Sequence, residues 1–260
     1  MAASGRSDDL RGADFVGVDL RGTRFRVADL SGVVMRGVDV RGADIDAPWL
    51  MDGGSLHVNG VDVIPLVEEE LCRRFPGRAE RRAEDPVGLR SAWATLESTW
   101  AATLERVAAM PPGTVDVSVD GEWSFAQTLR HLVMAADMWL GRAILGIERP
   151  FHPAGQVDSG TAAGGFDVSI LTNTAPSFGE VLLAREGRVE MVREFLASVS
   201  ADTLSSIRPN PHAPEHRETV LSCLHTILDE EWEHLRYAVR DLDEIEARRG
   251  RAGTKKHPGP

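Results

Sequence analysis

The sequence predicts a mainly α-helical protein, a four-helix bundle, with a small repetitive part in front of it. Three observations carry that prediction. Apolar residues recur at steps of three and four over four long segments in the second two thirds of the chain. Before them, a large apolar residue stands at every fifth position from Leu10 to Leu50. Between the two parts, an Asn-Gly pair divides two alternating stretches within 56–63.

The repeat comes first in the chain. Leu10, Phe15, Leu20, Phe25, Leu30, Met35, Val40, Ile45 and Leu50 form its unbroken series. Two positions before most of them sits a small or β-branched residue: Ala13, Val18, Thr23, Ala28, Val33, Val38 and Ala43. A period of five fits neither an α-helix nor a strand. The pattern resembles the pentapeptide-repeat family. That resemblance implies a short right-handed quadrilateral β-helix, each five-residue unit forming one side and the large residue pointing inward. Little more than two coils would result. A solenoid coil buries its face only against a neighbour, so the segment is expected to dock onto the rest of the chain. Some members of that family are long acidic rods that mimic DNA. Here Arg11, Arg21, Arg24, Arg26, Arg36 and Arg41 interrupt any acidic face, and a structural cap or interaction module is the expected role.

Next comes the hairpin. Leu56 to Val63 alternates around Asn59-Gly60, a dipeptide that accepts positive φ at both central positions, so a type I′ turn follows. His57 lies here and reads as structural or exposed. Pro65 opens a short helix with acids early and arginines late, which matches the helix dipole, and Pro76-Gly77 stops it.

The four long helices follow. The first runs from about Pro86 to Met110, capped by Asp85, with Leu89, Trp93, Leu96, Trp100, Leu104 and Val107 on one stripe. The second opens on the capping box Ser124/Gln127, carries Phe125, Leu129, Leu132, Ala136 and Trp139, and ends by Gly146. The third opens on Ser177/Glu180, with Leu182, Val189, Val192, Leu196 and Val199 on its face. The fourth runs from near Thr219 to about Arg248 through Leu224, Ile227, Leu228, Leu235 and Leu242. One long glycine-rich crossover, 147–176, joins the second and third. Long crossovers of this kind carry function or disorder. The chain thus divides into a repeat segment over 8–52, a hairpin and short helix over 53–84, a bundle over 85–248, and a disordered tail over 249–260.

Composition narrows the function. A net charge of -11 argues against a nucleic-acid surface, which needs clustered cations. Arg73-Arg74 and Arg81-Arg82 read as solvated helix faces. No stretch reaches the roughly 18 apolar residues of a membrane helix, and the first residues lack the apolar core of a signal peptide. The expected partners therefore include no nucleic acid and no membrane, and the expected location is the cytoplasm. Cys72 and Cys223 are too few for a disulfide framework and fit a reducing compartment. Lys255 and Lys256 are the only lysines; with abundant Ala and Gly, that usage points to a GC-rich genome.

The candidate site is a metal centre. Glu230 and His234, four residues apart, share one side of the fourth helix with Ile227 and Cys223, which places them toward the interior. His131 lies near the apolar stripe of the second. An ionisable pair inside a bundle must be hydrogen-bonded, protonated or bound to a cation. Two imidazoles and one carboxylate suit a divalent ion with a fourth position open. Zinc is the leading ion, with nickel and iron(II) as alternatives. His225 turns away from that face. Cys223 reads as a buried small residue, and Asp229 and Glu231 as solvent-facing. Tyr237 and Arg240 stand one turn beyond His234. His152, His212 and His216 fall in loops.

At these residues the sequence resembles the DinB-like metal-binding bundles. Trp123-Ser124-Phe125-Ala126-Gln127-Thr128-Leu129-Arg130-His131-Leu132 looks like their second-helix signature, and two further ligands would follow at i and i+4 on the last helix. Many members have three histidines. Glu230 makes this set His, Glu, His, which is similar to the mycothiol-dependent maleylpyruvate isomerases of that superfamily. The resemblance covers about 86–245. It implies a metal-dependent S-transferase or isomerase in which the metal activates a low-molecular-weight thiol such as mycothiol toward an electrophilic small-molecule substrate, with a homodimer as the expected assembly. The competing class is a non-catalytic, metal-stabilised bundle with a pentapeptide-repeat protein-interaction module. Access to the metal separates them: a site closed by Trp139 or by the crossover would favour the structural role.

Overall fold

The computed structural model describes residues 9–51, 53–157, 168–172 and 175–254. The chain forms two compact units, residues 1–46 and 47–260.

In the first unit the backbone turns at every fifth residue. Gly12, Gly17, Gly22, Gly32, Gly37 and Gly42 all have positive φ, and Val27 at φ 49° stands in the same series. Alternate corners are closed turns: the N–H groups of Ala13, Thr23, Val33 and Ala43 donate to the carbonyls of Leu10, Leu20, Leu30 and Val40. The five-residue period is therefore a period of left-handed corners, which glycine accepts without steric cost. Asp9, Asp19 and Asp39 each accept from the backbone N–H and the guanidinium of the arginine two residues on. The large central residues stay about half exposed, from Leu20 at 47% to Ile45 at 63%. A stack this short has no interior coil, so its apolar residues cannot be enclosed. Among its described residues no paired strand forms.

The second unit is mainly α with small antiparallel sheets. The hairpin pairs β1 (His57–Val58) with β2 (Val61–Asp62). Asn59 at φ 50° and Gly60 at φ 82° give the expected type I′ geometry. His57 is exposed. Helix α1 (Ile64–Arg74) follows, then a 3-10 turn over Arg78–Arg82. Gly77 joins them at φ 93°, where a Cβ would collide with Thr95.

The bundle is made by α2 (Pro86–Ala108), α3 (Phe125–Ala136), α4 (Phe178–Ser198) and α6 (Val220–Thr254); α2 and α3 each pack on both α4 and α6. Asp85 caps α2 by accepting from the N–H groups of Val87 and Gly88, and both expected capping boxes form. Leu89, Trp93, Leu96, Trp100, Leu129, Leu132, Leu196, Leu224, Ile227, Leu228, Leu235 and Leu242 are buried in one core. At the usual 25 cal/mol per Å², each such side chain contributes about 1.5–3 kcal/mol.

The sequence left several features unmarked. A π-helix continues α3 over Asp137–Ile144. A short helix α5 (Ala201–Ser205) precedes a second hairpin, β3 (Ile207–Pro209) on β4 (Arg217–Thr219). Helix α6 runs to Thr254, beyond the Arg248 end that periodicity suggests. Residues 255–260, half of the expected tail, and 158–167, the middle of the crossover, lie outside the described residues.

Burial also corrects the reading of Arg81 as a solvated residue. Arg78 and Arg81 are 2% and 4% exposed. Arg78 donates to Glu68 at 2.6 Å and Glu233 at 2.9 Å, and Arg81 to Glu68 at 2.7 Å and Asp229 at 3.0 Å. The network ties α1 and the 3-10 turn to α6. Arg73 and Arg74, by contrast, are exposed as expected and pair with Glu70.

A candidate metal centre between α3 and α6

His131 sits in the second turn of α3, a helix started by Ser124, whose side chain accepts from the Gln127 N–H while Gln127 closes the box. Glu230 and His234 sit one turn apart on α6. The packing of α3 on α6 brings the three together. Nε2 of His131 and Nε2 of His234 each stand 3.2 Å from the same Glu230 oxygen, Oε2. One candidate ligand atom from each residue lies within 4.8 Å of the others. His131 is buried, and the side chains of Glu230 and His234 are 15% and 14% exposed.

The electrostatics favour a cation. Burial pushes the Glu230 carboxyl up, but hydrogen bonds and charge from His131 and His234 outweigh it and hold the group well below the ordinary carboxylate range. Burial pushes the His234 imidazole down, against the raising effect of Glu230. Metal binding requires the carboxylate ionised and both imidazoles neutral, so a cation entering the cluster takes the place of the imidazole protons that hold Glu230 ionised without it. Two of the spacings suit an ion: ligands about 2.1 Å from a tetrahedral ion lie about 3.4 Å apart, close to the 3.2 Å from each Nε2 to Oε2. Nδ1 of His131 is buried and has no hydrogen-bond partner among the described residues, so none of them fixes that ring's tautomer.

The surroundings differ from expectation in three ways. First, Trp139 packs on His212 at 5.6 Å, and the ring against the two imidazoles is Trp123. Its centroid is 4.8 Å from that of His131 and 6.0 Å from that of His234, nearly parallel to the latter. Second, Glu231 is not solvent-facing: it is 1% exposed and accepts from Arg185 at 2.5 Å. Its position between Leu228 and Leu235, on the apolar stripe, was a signal that could have found it. Third, Asp229 faces Arg81 and Arg82.

Other residues stand where the sequence put them. The ring of His225 bonds the Ala83 carbonyl at 2.9 Å. Cys223 is fully buried, which pushes its thiol up to about 12 and leaves it inert. Tyr237 meets His234 edge-on at 5.6 Å, with the Arg236 and Arg240 guanidiniums 4.4 and 5.2 Å from its ring. Of the loop histidines, His152 donates its N–H to Asp137, and His216 is exposed.

A family model of the DinB superfamily matches residues 95–238, more than half of the chain. The chain belongs to the DinB superfamily. All three residues of the cluster in this DinB chain fall inside the matched span, whereas the arginine turn that braces α6 lies outside it. A model of pentapeptide repeats matches eight copies over residues 9–45. Neither the comparison with curated proteins nor the comparison with solved structures finds a match. No helix among the described residues is long and apolar enough to cross a membrane.

Proposed function

We propose that this DinB protein binds a divalent cation, zinc in the first place, through His131, Glu230 and His234, and uses it in thiol-dependent transfer or isomerisation of an electrophilic small molecule. The single observation behind the reading is the convergence of two Nε2 atoms on one Glu230 oxygen from two helices. Three protein ligands leave a coordination position for a small molecule. The cation, when bound, lowers the pKa of a thiol such as mycothiol and presents it as a thiolate.

The chain's own residues have defined tasks in this reading. His131 and His234 offer neutral nitrogens, and Glu230 brings one negative charge to a site that burial makes hostile to an isolated cation. Trp123 shields the imidazoles from bulk water. Tyr237, held between two arginines, packs edge-on against His234 and steadies its ring.

A second reading is supported by Trp123. A ring packed on both imidazoles also suits a cation that only stabilises the bundle. Metal analysis of the purified protein tests the shared part: about one ion per chain is expected, lost in His234→Ala. Equal metal content in the two proteins, or none in either, removes the proposal. The cobalt(II)-substituted protein then separates the readings. A thiolate-to-metal charge-transfer band on adding a low-molecular-weight thiol supports the enzyme, and its absence supports the structural role.

A further inference from the structure

Trp123 does not belong to a helix. It ends a short strap, residues 118–123, directly before the Ser124 cap. The strap is built for a sharp reversal: Asp120 and Gly121 have φ of 53° and 78°, and the Glu122 N–H donates to the Val119 carbonyl at 2.9 Å. The Ser118 hydroxyl donates to the Glu122 carbonyl at 2.6 Å and closes the base. From the far side α6 holds the strap with two ion pairs, Arg240–Glu122 at 2.6 Å and Arg248–Asp120 at 3.2 Å. The carboxylates of both pairs are more than half exposed, with Glu122 at 52% and Asp120 at 60%.

We infer that the 118–123 strap is a latched lid on the His131/Glu230/His234 cluster, with Trp123 as the cover and Glu122 and Asp120 as the latch. The inference rests on the proposed cation site and deepens it by stating how that site is reached. Three features agree. The cover packs on both imidazoles, stacked on His234 and tilted against His131, so it blocks that side of the cluster while it is in place. The latch partners lie on α6, the helix that carries Glu230 and His234, so opening is a movement of the strap against the ligand helix itself. And the fastening is exposed, so salt weakens it, whereas buried pairs such as Arg78–Glu68 would not yield. Ligand exchange at the cluster then follows strap opening, and Trp123 is a positioning residue that sets the size of what enters.

Carbethoxylation of histidines by diethyl pyrocarbonate, read by peptide mass spectrometry on the full chain after chelator treatment, tests the lid without needing an ion. His57 and His216, both exposed, serve as internal standards. In the wild type, His131 and His234 are expected to react far more slowly than the standards. Trp123→Ala should accelerate both by about tenfold, the effect of losing a packed aromatic cover. Glu122→Gln, which keeps the ring, should accelerate them less, and high salt should do the same to the wild type. Cluster histidines that react as fast as His216 in the wild type overturn the lid, as do rates unchanged in both variants. A metal analysis that finds no ion removes the cation reading but leaves this comparison standing, so the two failures are distinguishable.

Discussion

His131 Nε2 and Glu230 Oε2 stand 3.2 Å apart across 99 residues of sequence, joining the second bundle helix to the fourth. In the ion-free chain such a contact needs a proton between the two atoms. A cation replaces that proton, and because the unfolded chain has no such arrangement, binding stabilises the fold. At a free ion concentration a hundredfold above Kd, the gain is about 2.7 kcal/mol. Thermal unfolding of the chelator-treated protein with and without added zinc should show a raised Tm. Glu230→Gln, which keeps the shape and loses the charge, should show little or no shift.

Arg81 is 5% exposed by side chain and pairs with Glu68 and Asp229. Removing one partner of a buried ion pair leaves the other charged groups without compensation, at a cost of about 3–5 kcal/mol. Arg81→Ala is therefore expected to lower the unfolding free energy measured in urea by that amount, while Arg73→Ala, at an exposed pair, should change it by less than about 1 kcal/mol. Similar losses in the two variants would contradict the network.

Glu68 gives the network a pH signature. Burial pushes its carboxyl up, but Arg81 and Arg78 prevail and hold it below its ordinary value. A depressed folded-state pKa stabilises above the unfolded pKa of about 4.3, and the contribution is lost as pH falls through the folded value. The difference in Tm between wild type and Glu68→Gln should be full at neutral pH and shrink on acidification below about pH 4. A difference that grows in acid has the wrong sign.

Val27 occupies a left-handed corner at φ 49°, where six other corners of the repeat have glycine, and it is 91% exposed, so its side chain gains nothing by packing. For a β-branched residue that conformation costs about 1–2 kcal/mol, of which glycine's greater unfolded freedom takes back about 0.5–1. Val27→Gly should slow amide exchange at the neighbouring turn N–H groups of Thr23 and Val33 by a few-fold. Gly32→Val should do the reverse.

Local chemistry was legible in the sequence. The five-residue period, the Asn59-Gly60 turn, the Asp85 cap and both capping boxes depend on residues within a few positions of one another, and the structure has each of them. The cluster was legible for a related reason: the i, i+4 spacing of Glu230 and His234 is local, and only His131 had to be brought in by packing. The buried charges were not. Arg78 finds Glu233 across 155 residues and Arg81 finds Asp229 across 148, and an arginine beside acids on a polar stretch looks solvated until its partner is known. The lid was hidden for the same reason, since Trp123 covers His234 from another helix's doorstep.

The π-helix after α3 divides that helix into two halves with different duties. The wide turn runs over 137–144, and at its end the Leu145 N–H reaches back five residues to Leu140 while the Ile147 N–H closes on Gly141. Each residue there is rotated less about the axis than in α3, so the later half can be re-aimed without disturbing the earlier one. Asp137, at the junction, turns its buried carboxylate to Arg188 at 2.7 Å and to the His152 N–H at 2.8 Å. Changes of length in the wide segment would thus be absorbed on the crossover side. The imidazole at 131 thereby keeps a fixed phase.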